Sequence, residues 1–328
     1  MNLIKCVAGH FYDGDTYGVC PHCAGKRKEA SEARRPSFWG FPDTGFEGFQ
    51  MKEEISRGSS RPIYHVQKVT DYAVKIAGWI SQDGRQSIIR EYEIARKLEQ
   101  WNCFIHYERY EEKGNEIFLL QELATPWTEY VKQNTISVGD VLRVVQNLCD
   151  ALSYMRYAGF IHLNVSPTNI FMKDGKVKLG DFSHAIPFTP GERYEDFSGK
   201  FPYLAPEIGS NGCCNGTEDI YSLGVTMYYM LTGGKLPFRY YGVNMPTRSK
   251  SDTISTMFMN SELLEIMRKA TAYQPSDRYA LPEEMKEAVA GFMNSHAMEV
   301  AEIIRPEKEG DGYDDQQRIR QSPFEVEI

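Results

Sequence analysis

The stretch "HLNVSPTNI", residues 162 to 170, decides how this chain is read. His162 and Asn169 stand seven positions apart, and a second amide, Asn164, follows the histidine by two. Upstream, "YAVKI" at 72 to 76 is a short apolar strand with one lysine, Lys75, at its centre. A charge buried on a strand is costly unless an anion meets it. The segment "SIIREYEIARKLEQW" that follows carries apolar residues at helical spacing and offers Glu91 as that anion.

Downstream, further motifs come in a fixed order: "LGDFSHA" at 179 to 185, "YLAPEI" at 203 to 208, "DIYSLGVTMYYMLTGGKLPF" at 219 to 238 and "QPSDRY" at 274 to 279. Together with "YAVKI" and "HLNVSPTNI" they resemble the protein-kinase family from about Met51 to about Met293. The resemblance implies an α+β, two-lobed protein-kinase-like fold over residues 51–295 with ATP and Mg²⁺ in its cleft. It implies Lys75 and Glu91 as the pair that positions nucleotide phosphates. Asp181 matches the Mg²⁺-binding aspartate, Phe182 its packing neighbour, and Asn169 the second Mg²⁺ ligand. Asp219 matches the anchor of the catalytic-loop backbone, and Glu207 with Arg278 a buried structural ion pair. In "IFLLQELATP", Gln121 takes the gatekeeper position, and Glu122 and Ala124 would offer backbone groups to adenine.

Three departures from the family pattern fall where a substrate hydroxyl would sit. Asn164 replaces the aspartate base, Ser166 replaces a lysine, and Lys200 replaces the threonine typical of Ser/Thr kinases. Asn cannot accept a full proton, and a positioned base contributes typically about 10²- to 10⁴-fold in rate. Lys200 suggests a partial rescue, its ammonium swinging into the space of the missing lysine to meet the γ-phosphate. The nucleotide-covering loop is also thinned: "SRGSSRPIYHV" keeps Gly58 and puts Ser56 and Arg61 at the other glycine positions. Glycines there let backbone N–H groups approach phosphates closely, so Arg61 either contacts a phosphate by its side chain or points to solvent. Ser183 stands where the family has glycine. The sequence-level expectation is a pseudokinase that binds ATP and acts as a sensor or scaffold. The alternative is a low-activity Ser/Thr kinase acting on a protein hydroxyl.

The first 25 residues are of another kind. Cys6, His10, Cys20 and Cys23 follow the spacing C-x3-H-x9-C-x2-C, with Asp13-Gly14 as a hairpin turn between the two pairs. Four thiolate or imidazole ligands make a closed, structural Zn²⁺ site, and so short a segment would draw most of its folding free energy from the metal. His22 competes but is crowded between two cysteines. The segment is similar to zinc-ribbon modules at the N-termini of bacterial signalling proteins, so the whole reads as bacterial-type. Residues 26–50 read as a linker, charged first and then rich in glycine and aromatics. Residues 296–328 read as a polar tail, disordered or only locally helical.

Bulk numbers bound the function. A hydrophobic content of 41% over 328 residues supports a sizeable core. A net charge of -8 argues against a nucleic-acid footprint across the chain, and no apolar run is long enough to cross a membrane. The start has no secretion signal, and seven cysteines in this arrangement suggest no disulfide framework, so a cytoplasmic location is expected. Cys213-Cys214 reads as two inert thiols in a loop. Expected partners are ATP and a protein substrate or scaffold partner.

Overall fold

In the computed structural model the described residues are 3–5, 11–13, 49–54, 64–68, 70–78, 82–114, 116–189, 202–211, 214–238, 240–241, 247–248, 254 and 260–304. The expected zinc ligands Cys6, His10, Cys20 and Cys23, with His22, lie outside them. So do Ser56, Gly58, Arg61, Lys200 and Cys213. The chain divides into two units, Met1–Asp71 and Tyr72–Ile328.

The first unit contains two antiparallel strand pairs. Strands β1 (Leu3–Lys5) and β2 (Phe11–Asp13) pair Leu3 with Asp13 and flank the stretch from Cys6 to His10. β2 ends at Asp13, where the Asp-Gly turn is expected. Strands β3 (Phe49–Glu54) and β4 (Tyr64–Lys68) pair from Phe49↔Lys68 to Glu54↔Tyr64, with a bulge between Met51 and Glu53. β3 thus starts within the segment read as linker, and the pair brackets the glycine-poor stretch around Gly58.

The second unit opens with β5 (Tyr72–Gly78), then helix α1 (Gln82–Leu98), β6 (Tyr107–Lys113) and β7 (Glu116–Glu122). The sheet order is β5-β7-β6, all antiparallel. Period-two alternation buries Ile117 and Leu119 on one face of β7. On α1 the buried residues are Glu91, Ile94, Ala95 and Leu98, one stripe at helical spacing. Glu91 therefore shares its face with three apolar side chains, which carries a carboxylate into the interior.

Beyond a short strand β8 (Thr125–Pro126) the chain is mainly helical: α2 (Trp127–Gln133), α3 (Val138–Tyr157), α4 (Pro206–Asn211), α5 (Glu218–Leu231), α6 (Ser261–Ala270), α7 (Pro282–Ser295) and a single turn, α8 (Ala297–Val300). A capping box starts α3: Ser137 Oγ accepts from the Asp140 N–H while the Asp140 carboxylate accepts from the Ser137 N–H. α3 packs against α5 and α7, and α5 also packs on α6. The start of the expected tail is ordered, with the Val138 N–H donating to Glu302 O and the Ile304 N–H to Ile136 O.

Between α3 and α4 run the pieces that carry the site. These are β9 (Phe160–Ile161), the stretch 162–169, β10 (Ile170–Lys173), β11 (Lys176–Leu179) and β12 (Ile186–Pro187). β10 and β11 are joined by Asp174-Gly175, with φ 49° and 72°, the primed turn that matches the twist of a two-residue hairpin. The hairpin aims 162–169 and 180–183 toward the same place, because the Gly180 N–H donates to Asn169 O.

Candidate active site

Lys75 projects from the centre of β5 onto the buried face of α1. Its Nζ lies 2.9 Å from Glu91 Oε2 and 3.3 Å from Asp181 Oδ1. Glu91 Oε1 also accepts the Tyr107 hydroxyl at 2.8 Å. Burial disfavours charge on all these groups, and pairing opposes it. Burial lowers the Lys75 ammonium, but Glu91 and Asp181 together hold it above its ordinary value. Burial lifts the Glu91 carboxyl, and Lys75 offsets only part of that. Asp181 is lowered, since Lys75 and the Ser183 hydroxyl outweigh its burial. The site thus holds a buried carboxylate and a second carboxylate sharing one ammonium.

The loop 162–169 is held by a carboxylate beneath it. Asp219, on the first turn of α5, accepts the backbone N–H of His162 at 2.7 Å and of Leu163 at 2.8 Å. Leu163 has φ 58°, a left-handed conformation unfavourable for a leucine, so two charge-assisted hydrogen bonds fix a strained backbone there. His162 Nδ1 accepts the Asn164 N–H at 3.2 Å, which leaves the ring proton on Nε2 to donate to Gly180 O at 3.2 Å. Burial pushes the imidazole down to about 4, so the ring is neutral in this role. Phe182 is wholly buried, its ring 5.5 Å from His162, 5.8 Å from Phe104 and 6.0 Å from Tyr107. Packing Phe182 inward turns Asp181, at φ 63°, out toward Lys75.

Asn164 meets Asp181 directly. Its Nδ2 donates to Asp181 Oδ2 at 3.1 Å, and its Oδ1 is buried without a hydrogen-bond partner. Asn169 Nδ2 donates to Asn164 O at 2.8 Å, leaving Asn169 Oδ1 with a 3.4 Å contact from the Thr168 hydroxyl. The Ser166 hydroxyl lies 3.1 Å from that of Thr168. Asp181, Asn169 and the orphaned Asn164 Oδ1 are hard oxygen donors of the kind that suits Mg²⁺. A cavity of about 240 Å³ opens beside them, with Lys75, Asn169 and Asp181 at its polar end. Ala73, Ile105, Gln121 and Phe171 line the rest, which suits a flat, largely apolar ring. Gly180 underlies this floor tightly: a Cβ there would meet Ile105 at 2.7 Å and Phe171 at 3.0 Å.

At the other rim, the Glu122 N–H already donates to His106 O at 2.9 Å, so its carbonyl is the backbone group it can offer a ligand. Ala124 follows in the short connection to β8. The Glu122 carboxylate is tied down by Lys178 Nζ at 2.7 Å, which also donates to Asn102 Oδ1 and Phe104 O. Lys178 lies three residues before Asp181, so one buried lysine links the rim to β11, the strand that leads into Asp181.

The structure thus brings Lys75, Glu91, Asn164, Asn169 and Asp181 to one place. Tyr107 and Lys178 were not anticipated, and Ser183 was noted only as a departure from the family's glycine. Ser183 Oγ donates to Asp181 Oδ1 at 2.7 Å, so the residue replacing glycine is itself a partner of the carboxylate. Among the described residues no helix is long and apolar enough to cross a membrane.

Comparison with known proteins gives a consistent answer. Residues 49–294 match the model of the protein kinase domain. Serine/threonine-protein kinase 32C of Homo sapiens is 28% identical over 301 residues, covering 84% of this chain and 61% of its own length. Sperm motility kinase 2A of Mus musculus is 33% identical over 134 residues, covering 39% of this chain and 26% of its own. Calcium/calmodulin-dependent protein kinase type II of Caenorhabditis elegans is 27% identical over 199 residues, covering 57% and 28%. The chain spans about three fifths of the length of the kinase 32C relatives it matches, 61% and 57% in Homo sapiens and Mus musculus.

Proposed function

The chain belongs to the protein kinase family, and from that premise we propose that it is an ATP-binding signalling protein with impaired phosphoryl transfer. It acts as a nucleotide-responsive sensor or scaffold. One observation carries the reading: Asn164 directs its amide N–H at Asp181 from the position where the family has its aspartate base. An amide is far too weak a base to take a hydroxyl proton, and the Asn164 donor is committed to a neighbouring carboxylate.

Lys75, fixed by Glu91, would hold the nucleotide phosphates, and Asp181 with Asn169 would hold Mg²⁺. The Glu122 carbonyl and the Ala124 N–H would meet the adenine edge, and Gly58 would cover the phosphates. Bound Mg²⁺-ATP supplies the transferable phosphoryl group and a cation that neutralises its charge. The chain's own part is to grip and orient the nucleotide within a two-lobed domain over about residues 51–295. Thermal shift with ATP and Mg²⁺ tests the grip, and intact-mass analysis after incubation with ATP tests transfer. A raised melting temperature without added phosphate is expected.

A second reading is favoured by the retained Lys75–Glu91 and Lys75–Asp181 contacts. It is a slow Ser/Thr-type kinase acting on a protein hydroxyl, with metal and positioning carrying the rate. Transfer abolished by Asp181→Ala and raised by Asn164→Asp would favour it. We further propose a structural zinc site in residues 1–25, from the ligand spacing of Cys6, His10, Cys20 and Cys23, that docks a protein partner. Residues 26–50 would link it to the kinase domain, with the polar tail following residue 295 and the whole acting in the cytoplasm.

A further inference from the structure

Asp181 is crowded with donors. Oδ1 receives Lys75 Nζ at 3.3 Å, Ser183 Oγ at 2.7 Å and the Ser183 N–H at 3.4 Å, and Oδ2 receives Asn164 Nδ2 at 3.1 Å. A carboxylate has about four lone-pair directions. Oδ1 is thus saturated by protein groups, and Oδ2 keeps one direction open. Three of the four donors come from Asn164 and Ser183, and two of those, Asn164 Nδ2 and Ser183 Oγ, are side-chain groups at positions that depart from the family pattern.

Charge follows the same logic. Lys75 faces Glu91 and Asp181, one ammonium against two carboxylates. An aspartate at 164 would make three, with the two nearest repelling one another until a cation came between them. The amide of Asn164 turns that repulsion into a hydrogen bond without any cation. Asn164 is 4% exposed, so the donor side of this bond is shielded from water, while the Asp181 side chain stays 30% exposed.

We propose that Asn164 is a positioning residue, an amide latch that stands in for a divalent cation at Asp181, so that nucleotide binds this site with weak dependence on Mg²⁺. The proposal rests on the nucleotide-binding reading above. The latch keeps Asp181 oriented toward Lys75, which leaves the ammonium aligned for phosphate before any metal arrives. Ser183 supports it from the opposite carboxylate oxygen.

Two titrations on the full chain test this. In the first, without nucleotide, Mn²⁺ is titrated into wild type and Asn164→Asp by calorimetry. The variant is expected to bind Mn²⁺ about tenfold more tightly, because it adds a carboxylate and removes the competing donor. Equal affinities overturn the latch. In the second, ATP affinity is measured with Mg²⁺ and with EDTA in wild type and Asn164→Ala. Wild type is expected to change by less than about threefold between conditions, and the alanine variant to lose about fivefold in EDTA but little in Mg²⁺. A merely structural asparagine would cost both conditions equally, and that result overturns the proposal even if Asn164→Asp fails to fold. ATP binding in neither condition refutes the nucleotide-binding reading, and the Mn²⁺ titration then decides the latch by itself.

Discussion

At the scale of single residues, the Lys75–Glu91–Tyr107 chain shows how a carboxylate survives burial. Glu91 is 1% exposed, and its two oxygens are satisfied by an ammonium and a phenol. Replacing Lys75 with methionine leaves Glu91 with Tyr107 alone. A loss of about 1–3 kcal/mol is expected, below the value for a fully buried pair because Lys75 is itself partly exposed. Unpaired Glu91 titrates higher still, so the variant should recover stability as pH falls from 8 to 5; chemical denaturation at both pH values measures it. The His162–Asp219 pair gives a second prediction. His162 folds with a value near 4 against an ordinary 6.5, so its contribution is complete above 6.5 and is lost as pH falls toward 4. Burial raises Asp219 to about 6 from 3.8 despite two backbone N–H donors, so its protonation favours the fold as pH falls from 6 toward 3.8. The two slopes oppose each other between about pH 4 and 6. His162→Gln removes the histidine slope, so in pH-dependent melting the variant's stability relative to wild type should rise as pH falls from 6.5 toward 4.

At the scale of elements, the turn Asp174-Gly175 separates backbone from packing. Gly175 has φ 72° and open space around it, so Gly175→Ala meets no neighbour and costs about 1 kcal/mol through left-handed strain alone. A loss above about 3 kcal/mol in equilibrium unfolding would contradict that account. Elements of this kind were legible where sequence periodicity and charge agree. β5 with a central lysine and α1 with Glu91 on its apolar stripe are both readable locally, and so is their pairing. Asp181, Asn169 and Asp219 were implied instead by the family resemblance that the order of the downstream motifs carries. Tyr107, Lys178 and the hydrogen bond made by Ser183 were not legible. Tyr107 and Glu91 are 16 residues apart on different elements, and Lys178 reaches Asn102 across 76. Only the fold makes such groups neighbours. Ser183 is visible in the sequence as a departure from the family's glycine, but nothing local shows that its hydroxyl donates to Asp181.

At the scale of the whole molecule, a kinase domain follows a proposed zinc module. The metal is tested by elemental analysis of the purified chain: one Zn²⁺ per chain is expected, lost in a Cys20→Ser, Cys23→Ser double variant. Zinc retained at the same content in that variant would remove the assignment. On the proposed reading, the domain keeps the groups that would grip a nucleotide, and positions 164, 166 and 200 differ from the family where a hydroxyl would be handled. That division is the central claim, and intact-mass spectrometry of the chain after prolonged incubation with Mg²⁺-ATP, with Asn164→Asp and Asp181→Ala run beside it, tests it most directly. No added phosphate on the wild-type chain, under conditions where ATP raises its melting temperature, is the predicted result. Phosphate accumulating on wild type and absent from Asp181→Ala would contradict it.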